Sequence, residues 1–219
     1  FGYLGLIEHI RGSAQQAEHH YRTAIAGLQA FSDTRALSIF NRHLGDLERG
    51  RGNDLAAESY LRESETQADA GGHEDLTSKT KLAALKLTLS KRGRATSDHV
   101  KHNLEVVETA LAYARIMEMP ALTCEALTVK GSILLDQGET VQSGKCLAEA
   151  IALAKLNGMR LRQNNAVITY CRVLGAKGEH EQANRLAATA MAMAKRQSNQ
   201  LEIRRATAMA ERRYTERGG

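Results

Sequence analysis

The stretch Gln137 to Cys146, QGETVQSGKC, contains the residue types of a phosphate-binding loop. Such a loop has the pattern G-x-x-x-x-G-K-[ST], in which backbone N–H groups surround the phosphates, the lysine reaches the terminal phosphate and the hydroxyl holds Mg²⁺. Here five residues rather than four separate Gly138 from Gly144, and Cys146 stands where the hydroxyl is needed. The stretch therefore predicts a turn followed by a helix rather than a nucleotide site.

Histidines and cysteines are the other candidates for chemistry. His99 and His102 lie three residues apart and could share a metal ion from one helix face, but no acidic or cysteine partner accompanies them at ligand spacing. Cys124, Cys146 and Cys171 lack CxxC spacing, and each stands where a helical pattern expects a small apolar residue. This usage predicts reduced, buried thiols in a cytoplasmic protein. The sequence thus predicts no enzyme, no metal site and no cofactor.

Composition favours an all-α protein. The 219 residues are 42% hydrophobic and 25% charged, with one proline, no tryptophan and 4% aromatic residues. Abundant Ala, Leu, Arg, Lys, Glu and Gln lose little side-chain freedom in helices, and no sustained period-2 alternation predicts a strand. The net charge of +5 permits an acidic partner. The start FGYL lacks Met and a leader, which we interpret as a fragment of a longer protein.

Five glycines mark an internal repeat. At each of them a helical apolar pattern breaks and then resumes, at spacings of 40, 41, 45 and 40 residues. They are Gly12, Gly52, Gly93, Gly138 and Gly178. We expect each glycine to end the first helix of a helix pair, where a residue free to adopt positive φ is favoured.

Side-chain size recurs around these glycines. Seven residues before the glycine stands a small residue in four of the five pairs (Gly5, Gly45, Gly131 and Cys171), with Lys86 as the exception. Nine residues after it stand Tyr21, Leu61, Leu147 and Ala187, and five residues after it stand Ala17, Ala57, Ser143 and Ala183. Small side chains at matched positions let two antiparallel helices approach closely. For Gly144, inside a predicted second helix, we likewise expect close packing to explain the missing side chain.

These residues resemble the tetratricopeptide repeat (TPR) family. The family pattern L-G, A-x-x-x-F, A is readable as Leu4-Gly5, Ala17, Tyr21 and Ala24. The period near 40 is similar to the extended repeats of MalT-type regulators, kinesin light chains and LGN-like adaptors. The resemblance implies a superhelical solenoid of five antiparallel helix pairs plus a C-terminal capping helix, in one array over 1–219. The predicted repeats are 1–31, 32–72, 73–119, 120–158 and 159–197, with the capping helix at 198–216.

The resemblance also implies that the first helices line a concave groove that binds a protein or peptide. The family's groove positions fall on Arg42, His43, Asp46, Arg49, Leu87, Lys91, Thr128, Ser132, Ile168, Arg172, Arg204 and Arg205. Basic residues outnumber acidic ones here, which favours an acidic segment or a free carboxylate as the ligand. Charge that only solvates an exposed face is the alternative. The carboxylate clamp of chaperone-binding TPRs is not expected, because Asp46 rather than Asn follows Arg42 by one turn.

We therefore expect a non-catalytic protein- or peptide-binding module, serving as the regulatory or sensor part of a larger bacterial signalling or transcription protein. The partner could also be another domain of the same polypeptide. A stand-alone scaffold adaptor is the alternative. An RNA-binding helical repeat is a further one, which the scarcity of aromatic residues for base stacking disfavours.

Overall fold

A computed structural model describes residues 1–91 and 97–196 of the chain. Within these ranges the secondary structure consists of ten α-helices, which confirms the predicted all-α class. They are α1 (Gly2–Arg11), α2 (Ala14–Gln29), α3 (Thr34–Arg51), α4 (Asp54–Ala70), α5 (Glu74–Ser90), α6 (Ser97–Ile116), α7 (Pro120–Asp136), α8 (Thr140–Leu156), α9 (Arg160–Ala176) and α10 (His180–Arg196). Two of these helices fall within each of the five predicted repeats. The predicted capping helix at 198–216 lies outside the described residues.

The chain divides into two compact units. Unit 1 spans Phe1–Arg94 and contains α1 to α5, and unit 2 spans Ala95–Gly219 and contains α6 to α10. Within each unit consecutive helices pack against one another. In addition, α3 contacts both α1 and α5 in unit 1, and α7 contacts α9 in unit 2. The division falls between α5 and α6, the two helices predicted to form the third pair.

Gly138 ends α7 in the way the repeat predicts. Its φ is 82°, in the left-handed region that favours glycine. Its N–H donates to the Leu135 carbonyl at 2.9 Å, and the N–H of Glu139 donates to the Leu134 carbonyl at 2.9 Å. These two bonds satisfy carbonyl groups that the end of a helix leaves open. Three of the other aligned glycines share the positive φ, namely Gly12, Gly52 and Gly178, while Gly93 lies outside the described residues.

In the first, second and fourth helix pairs, a glycine on the first helix packs against a large side chain on the second helix. A Cβ atom added to Gly131 on α7 would lie 2.7 Å from Cγ of Leu147 on α8, far inside van der Waals contact. The Ser143 hydroxyl donates to the Gly131 carbonyl at 2.6 Å, so the predicted small-residue contact is confirmed. The same close approach recurs where Gly5 meets Tyr21 and where Gly45 meets Leu61.

The fifth pair reverses the sizes. Cys171 on α9 and Ala187 on α10 lie in one buried cluster, with the larger residue now on the first helix and the smaller on the second. The volume between the helices is thus filled from the opposite side, which keeps the core closely packed.

Gly144 departs from the expectation of close packing. An added Cβ atom would lie 3.7 Å from a Tyr170 ring carbon and 3.8 Å from a Val173 methyl group, both ordinary contacts. The expectation was wrong because Gly144 sits in α8 beside α9, where room for a methyl group remains. With Lys145 it lies inside the helix and not in a phosphate-binding loop.

A buried chain of hydroxyl groups crosses unit 1. The Ser64 hydroxyl on α4 donates to the Ser38 carbonyl on α3 at 2.8 Å and lies 2.8 Å from the Thr80 hydroxyl on α5. All three residues are at most 1% exposed. Because a buried polar group without a partner is costly, this network links the three helices in one arrangement.

Successive first helices run parallel to each other within a unit. Near the start of α3 the Arg35 guanidinium makes two hydrogen bonds, of 3.1 and 3.0 Å, to the Asp75 carboxylate near the start of α5. In unit 2 the Arg162 Nε–H of α9 donates to the Ala121 carbonyl of α7 at 2.9 Å, again start to start. Parallel first helices joined by antiparallel second helices are the arrangement the repeat predicts.

Two further observations concern the cysteines and membrane-spanning segments. Cys124 and Cys171 are buried free thiols, but Cys146 is partly exposed, so the prediction of burial was wrong for this residue. Partial burial nevertheless raises the pKa of the Cys146 thiol, while the charge of Lys130 on α7 lowers it. In the part of the chain that the structure describes, none of the helices combines the length and apolar character needed to cross a bilayer.

Candidate functional site

A cluster of charged side chains on α3 contains four of the predicted groove residues. Arg42, Asp46 and Arg49 follow one another at helical spacing and therefore share one face of α3. One Asp46 carboxylate oxygen is 3.1 Å from an Arg49 guanidinium nitrogen, and the other is 3.8 Å from an Arg42 guanidinium nitrogen. Their side chains are 14% (Arg42), 21% (Asp46) and 18% (Arg49) exposed. His43, the fourth, stacks on the ring of Tyr21. We call Arg42, His43, Asp46 and Arg49 the α3 cluster.

The α3 cluster carries an excess of positive charge. Burial raises the pKa of Asp46, but neighbouring positive groups outweigh burial and hold this pKa well below its usual range. The contributing groups, in decreasing order, are Arg49, Lys86, Arg42 and His43. Lys86 belongs to α5, so two helices supply charge to one place. Within the α3 cluster itself two arginines face one carboxylate, so the positive charge of these three side chains exceeds the negative charge by one.

Tyr21 lies beneath the cluster. Its side chain is fully buried, its ring stacks on His43 with centroids 5.6 Å apart and planes 8° apart, and it packs against the backbone of α1 at Gly5. Burial raises the pKa of Tyr21, the charge of Arg42 lowers it and the charge of Asp46 raises it. The charges of Arg42 and Asp46 therefore both act on the Tyr21 hydroxyl.

Three buried polar atoms at this place have no hydrogen-bond partner. They are the Tyr21 hydroxyl oxygen and the Nε atoms of Arg42 and Arg49. All three can donate a hydrogen bond, and both arginines have terminal nitrogens already directed at Asp46. The site thus has more donors than acceptors, in addition to its excess positive charge.

The predicted residues on α5 take different places. Leu87 is 3% exposed and belongs to a core cluster with Ala57 and Leu61 of α4, so it does not line an accessible surface. Its equivalent is Leu47, 40 residues earlier and also buried. The alignment on Gly93 was therefore one residue out of phase, and Lys86 occupies the position equivalent to Asp46.

Lys91 is exposed at the end of α5. Its ammonium nitrogen lies 3.6 Å from the Glu58 carboxylate of α4, with both side chains nearly half exposed. Lys91 thus pairs with a carboxylate of α4 and not with the α3 cluster.

In unit 2 the predicted residues are mostly engaged within the protein. The Thr128 hydroxyl donates to the Cys124 carbonyl, and the Ser132 hydroxyl donates to the Thr128 carbonyl. Ile168 is partly buried against the core of α9 and α10. Arg172 bonds the Asp136 carboxylate at 3.0 Å. The predicted Arg204 and Arg205 lie outside the described residues.

The excess of basic residues that the sequence predicted is reduced by acidic partners. Asp136 faces Arg172, Glu58 faces Lys91, and Glu125 lies 3.9 Å from Arg162. Asp136 and Glu58 were missed because they lie on helices other than those of their partners. At the α3 cluster, by contrast, Arg42 and Arg49 share the single carboxylate of Asp46.

Sequence reasoning also missed Lys86 and Tyr21. The signal for Lys86 was its misfit in the repeat, since a charged residue at a small-residue position indicates an error of phase. The repeat pattern places Tyr21 at a contact between paired helices, but nothing in the sequence marks its hydroxyl as buried without a partner.

A separate cleft of about 560 Å³ lies between α2 and α4, with α3 as its floor. Leu37, Asn41 and Leu44 form that floor, and on a helix of 3.6 residues per turn they point away from the α3 cluster. The rim carries Arg22, Arg62, Glu63 and Gln67 among others. This second face provides a reference against which binding at the cluster can be compared.

Comparisons with known proteins leave the family open. No protein-family model matches the chain, and no curated protein matches it. The fold class is therefore defined by the helices themselves, a repeat-like all-α array with neighbour-to-neighbour packing in each unit.

Proposed function

We propose that this chain is a non-catalytic protein- or peptide-binding module of the TPR type, and that unit 1 binds an acidic segment of its partner at the α3 cluster. The observation that carries the proposal is the excess of positive charge around Asp46 on a partly exposed helix face. Arginine binds carboxylates with two parallel hydrogen bonds, and partial burial strengthens such bonds. The repeat pattern of the sequence and the paired helices support the TPR assignment.

Selection from a displayed random peptide library tests the proposal. We expect the enriched peptides to contain Asp, Glu or a free C-terminal carboxylate, and their affinity to fall as ionic strength rises. In the double variant Arg42→Gln with Arg49→Gln, affinity should fall by about 100-fold or more, because each bond to a charged group contributes about 1.5–3 kcal/mol.

A matched variant controls for net charge. Arg115 and Arg185 are exposed residues of unit 2 that pair with Glu149 and Glu181. Changing both to Gln lowers the net charge by the same two units as the Arg42 and Arg49 double variant, and it should leave affinity for the peptide unchanged. Equal losses in the two double variants would show that binding depends on overall charge and not on the α3 cluster. Enrichment of peptides without acidic groups would direct attention to the cleft between α2 and α4.

We further propose that the module is the regulatory or sensor part of a larger bacterial signalling or transcription protein. Its partner is then another protein or another domain of the same polypeptide. A stand-alone scaffold adaptor is the alternative. The coding sequence around this segment distinguishes them, since the first setting requires an effector domain such as an ATPase or a DNA-binding domain.

RNA is a different class of partner for a basic helical repeat. The proposal expects no binding of labelled random-sequence RNA at micromolar protein. Salt-dependent binding under these conditions would replace the peptide-binding proposal with a nucleic-acid function, because counterion release makes phosphate contacts strongly sensitive to salt.

A further inference from the structure

The buried donors beneath the α3 cluster are an incomplete hydrogen-bond arrangement. Tyr21 is 0% exposed, its ring packs against Gly5, His43 and Phe40, and its hydroxyl is buried without a hydrogen-bond partner. Native proteins pair nearly all such groups, so an unpaired buried hydroxyl calls for an explanation. Here the Nε atoms of Arg42 and Arg49 are unpaired as well.

The two arginines differ in how firmly they are held. Arg49 lies within hydrogen-bond distance of Asp46 at 3.1 Å, whereas the Arg42 contact at 3.8 Å is longer than a hydrogen bond. Less interaction is therefore lost when Arg42 changes its side-chain conformation. Arg42 is also the group whose charge acts most strongly on the Tyr21 hydroxyl.

We infer that the Tyr21 hydroxyl and Arg42 form a subsite for one carboxylate group of the bound partner, closed in this structure and completed when Arg42 turns toward the ligand. The inference rests on the proposed function and specifies its chemistry. A carboxylate supplies acceptors and negative charge, which are the two things the site lacks. Arg49 and Asp46 remain bonded and hold the α3 side of the subsite in place.

The carboxylate has two possible sources, an acidic side chain or a chain terminus. N-acetylated deca-glutamate serves as the probe, together with its C-terminal amide and with N-acetylated deca-glutamine that keeps only the terminal carboxylate. Titration is followed by calorimetry and by the NMR signals of the arginine Nε–H groups. Retention of binding by the amide indicates side-chain recognition, and retention by deca-glutamine indicates recognition of the terminus. Both outcomes support a carboxylate subsite.

The variant Tyr21→Phe removes only the hydroxyl and preserves the ring stacking. We expect it to weaken deca-glutamate binding about tenfold or more, since a hydrogen bond to a charged group is lost. The Arg42 Nε–H signal should shift on titration of the unaltered protein. Without ligand, Tyr21→Phe should melt about 2 °C higher or more, because a buried hydroxyl without a partner is removed.

The outcomes separate this inference from the proposed function. Tyr21→Phe with unchanged affinity, while Arg42→Gln with Arg49→Gln abolishes binding, would overturn the subsite and leave the α3 cluster as the binding surface. A lower melting temperature of ligand-free Tyr21→Phe would also overturn it, because the hydroxyl would then have a partner in the free protein. Absence of probe binding to the unaltered protein overturns the subsite, whereas the peptide selection decides the proposed function independently.

Discussion

The contrast between Gly131 and Gly144 yields a quantitative prediction about unit 2. Both glycines lie inside helices, so changing either to Ala gains about 1 kcal/mol of helix preference. At Gly144 the new methyl group meets atoms at 3.7–3.9 Å, which are ordinary contacts. We therefore expect Gly144→Ala to stabilise the protein by about 1 kcal/mol.

Gly131→Ala should have the opposite sign. Its methyl group would lie 2.7, 3.0 and 3.2 Å from three carbons of Leu147, a side chain that is 0% exposed and therefore surrounded by other atoms. Overpacking of this kind costs about 1–3 kcal/mol. After the gain of about 1 kcal/mol in helix preference, we expect a net loss of up to about 2 kcal/mol.

The difference between the two variants isolates packing, because the helix-preference contribution is the same in both. That difference is the overpacking cost itself, about 1–3 kcal/mol, or several degrees in melting temperature. Urea and thermal unfolding followed by far-UV circular dichroism measure it, with calorimetry to identify the transition of unit 2. Equal stabilisation by both substitutions would refute the size match between Gly131 and Leu147. Destabilisation by Gly144→Ala would refute the claim that α9 leaves room for a methyl group.

Two further predictions concern the polar contacts of unit 1. Asp46→Asn should lower the free energy of unfolding by about 1–3 kcal/mol at pH 7, because the positive groups lose the carboxylate between them. The pKa of Asp46 is lowered in the folded protein, so the stabilisation by its carboxylate is complete above the unfolded pKa near 4. This stabilisation is lost progressively as the pH falls below that value toward the folded pKa. Urea unfolding at pH 7 and pH 2.5 checks this, and a pH-independent difference would contradict it. Ser64→Ala should cost about 1–2 kcal/mol in urea unfolding, because it removes the hydroxyl that bonds the Ser38 carbonyl and the buried Thr80 hydroxyl. The exposed Ser59→Ala should cost nothing measurable.

The sequence predicted contacts within a helix pair better than contacts between pairs. Gly138, Ser143 and Leu147 took their predicted places because the positive φ and the size match depend on residues close together in the chain. The contacts between first helices join residues about 40 apart, and there an error of one residue exchanges a surface position for a core position. That error placed Leu87 at the surface and overlooked Lys86.

The candidate site was predicted in part. Arg42, Asp46 and Arg49 were recognised because helical spacing puts them on one face, without any knowledge of their neighbours. Contacts between separate helices decide the pairing of Arg172 with Asp136 and the burial of the Tyr21 hydroxyl. A single sequence does not show which residues of separate helices meet. Charge compensation was accordingly underestimated, and the buried unpaired donors of Tyr21, Arg42 and Arg49 were not predicted.

The reversed size match in the fifth pair limits how this chain can be cut and rejoined. Splicing α7 to α10 would set Gly131 opposite Ala187 and leave a void, whereas splicing α9 to α8 would set Cys171 opposite Leu147 and create a clash. A crossover placed just after Leu156 keeps Gly131 with Leu147 and Cys171 with Ala187, because each helix pair stays whole. A crossover placed at Gly138 separates Gly131 from Leu147. The interchangeable module of this architecture is therefore the helix pair, and chimeras built from it have boundaries defined by side-chain volume.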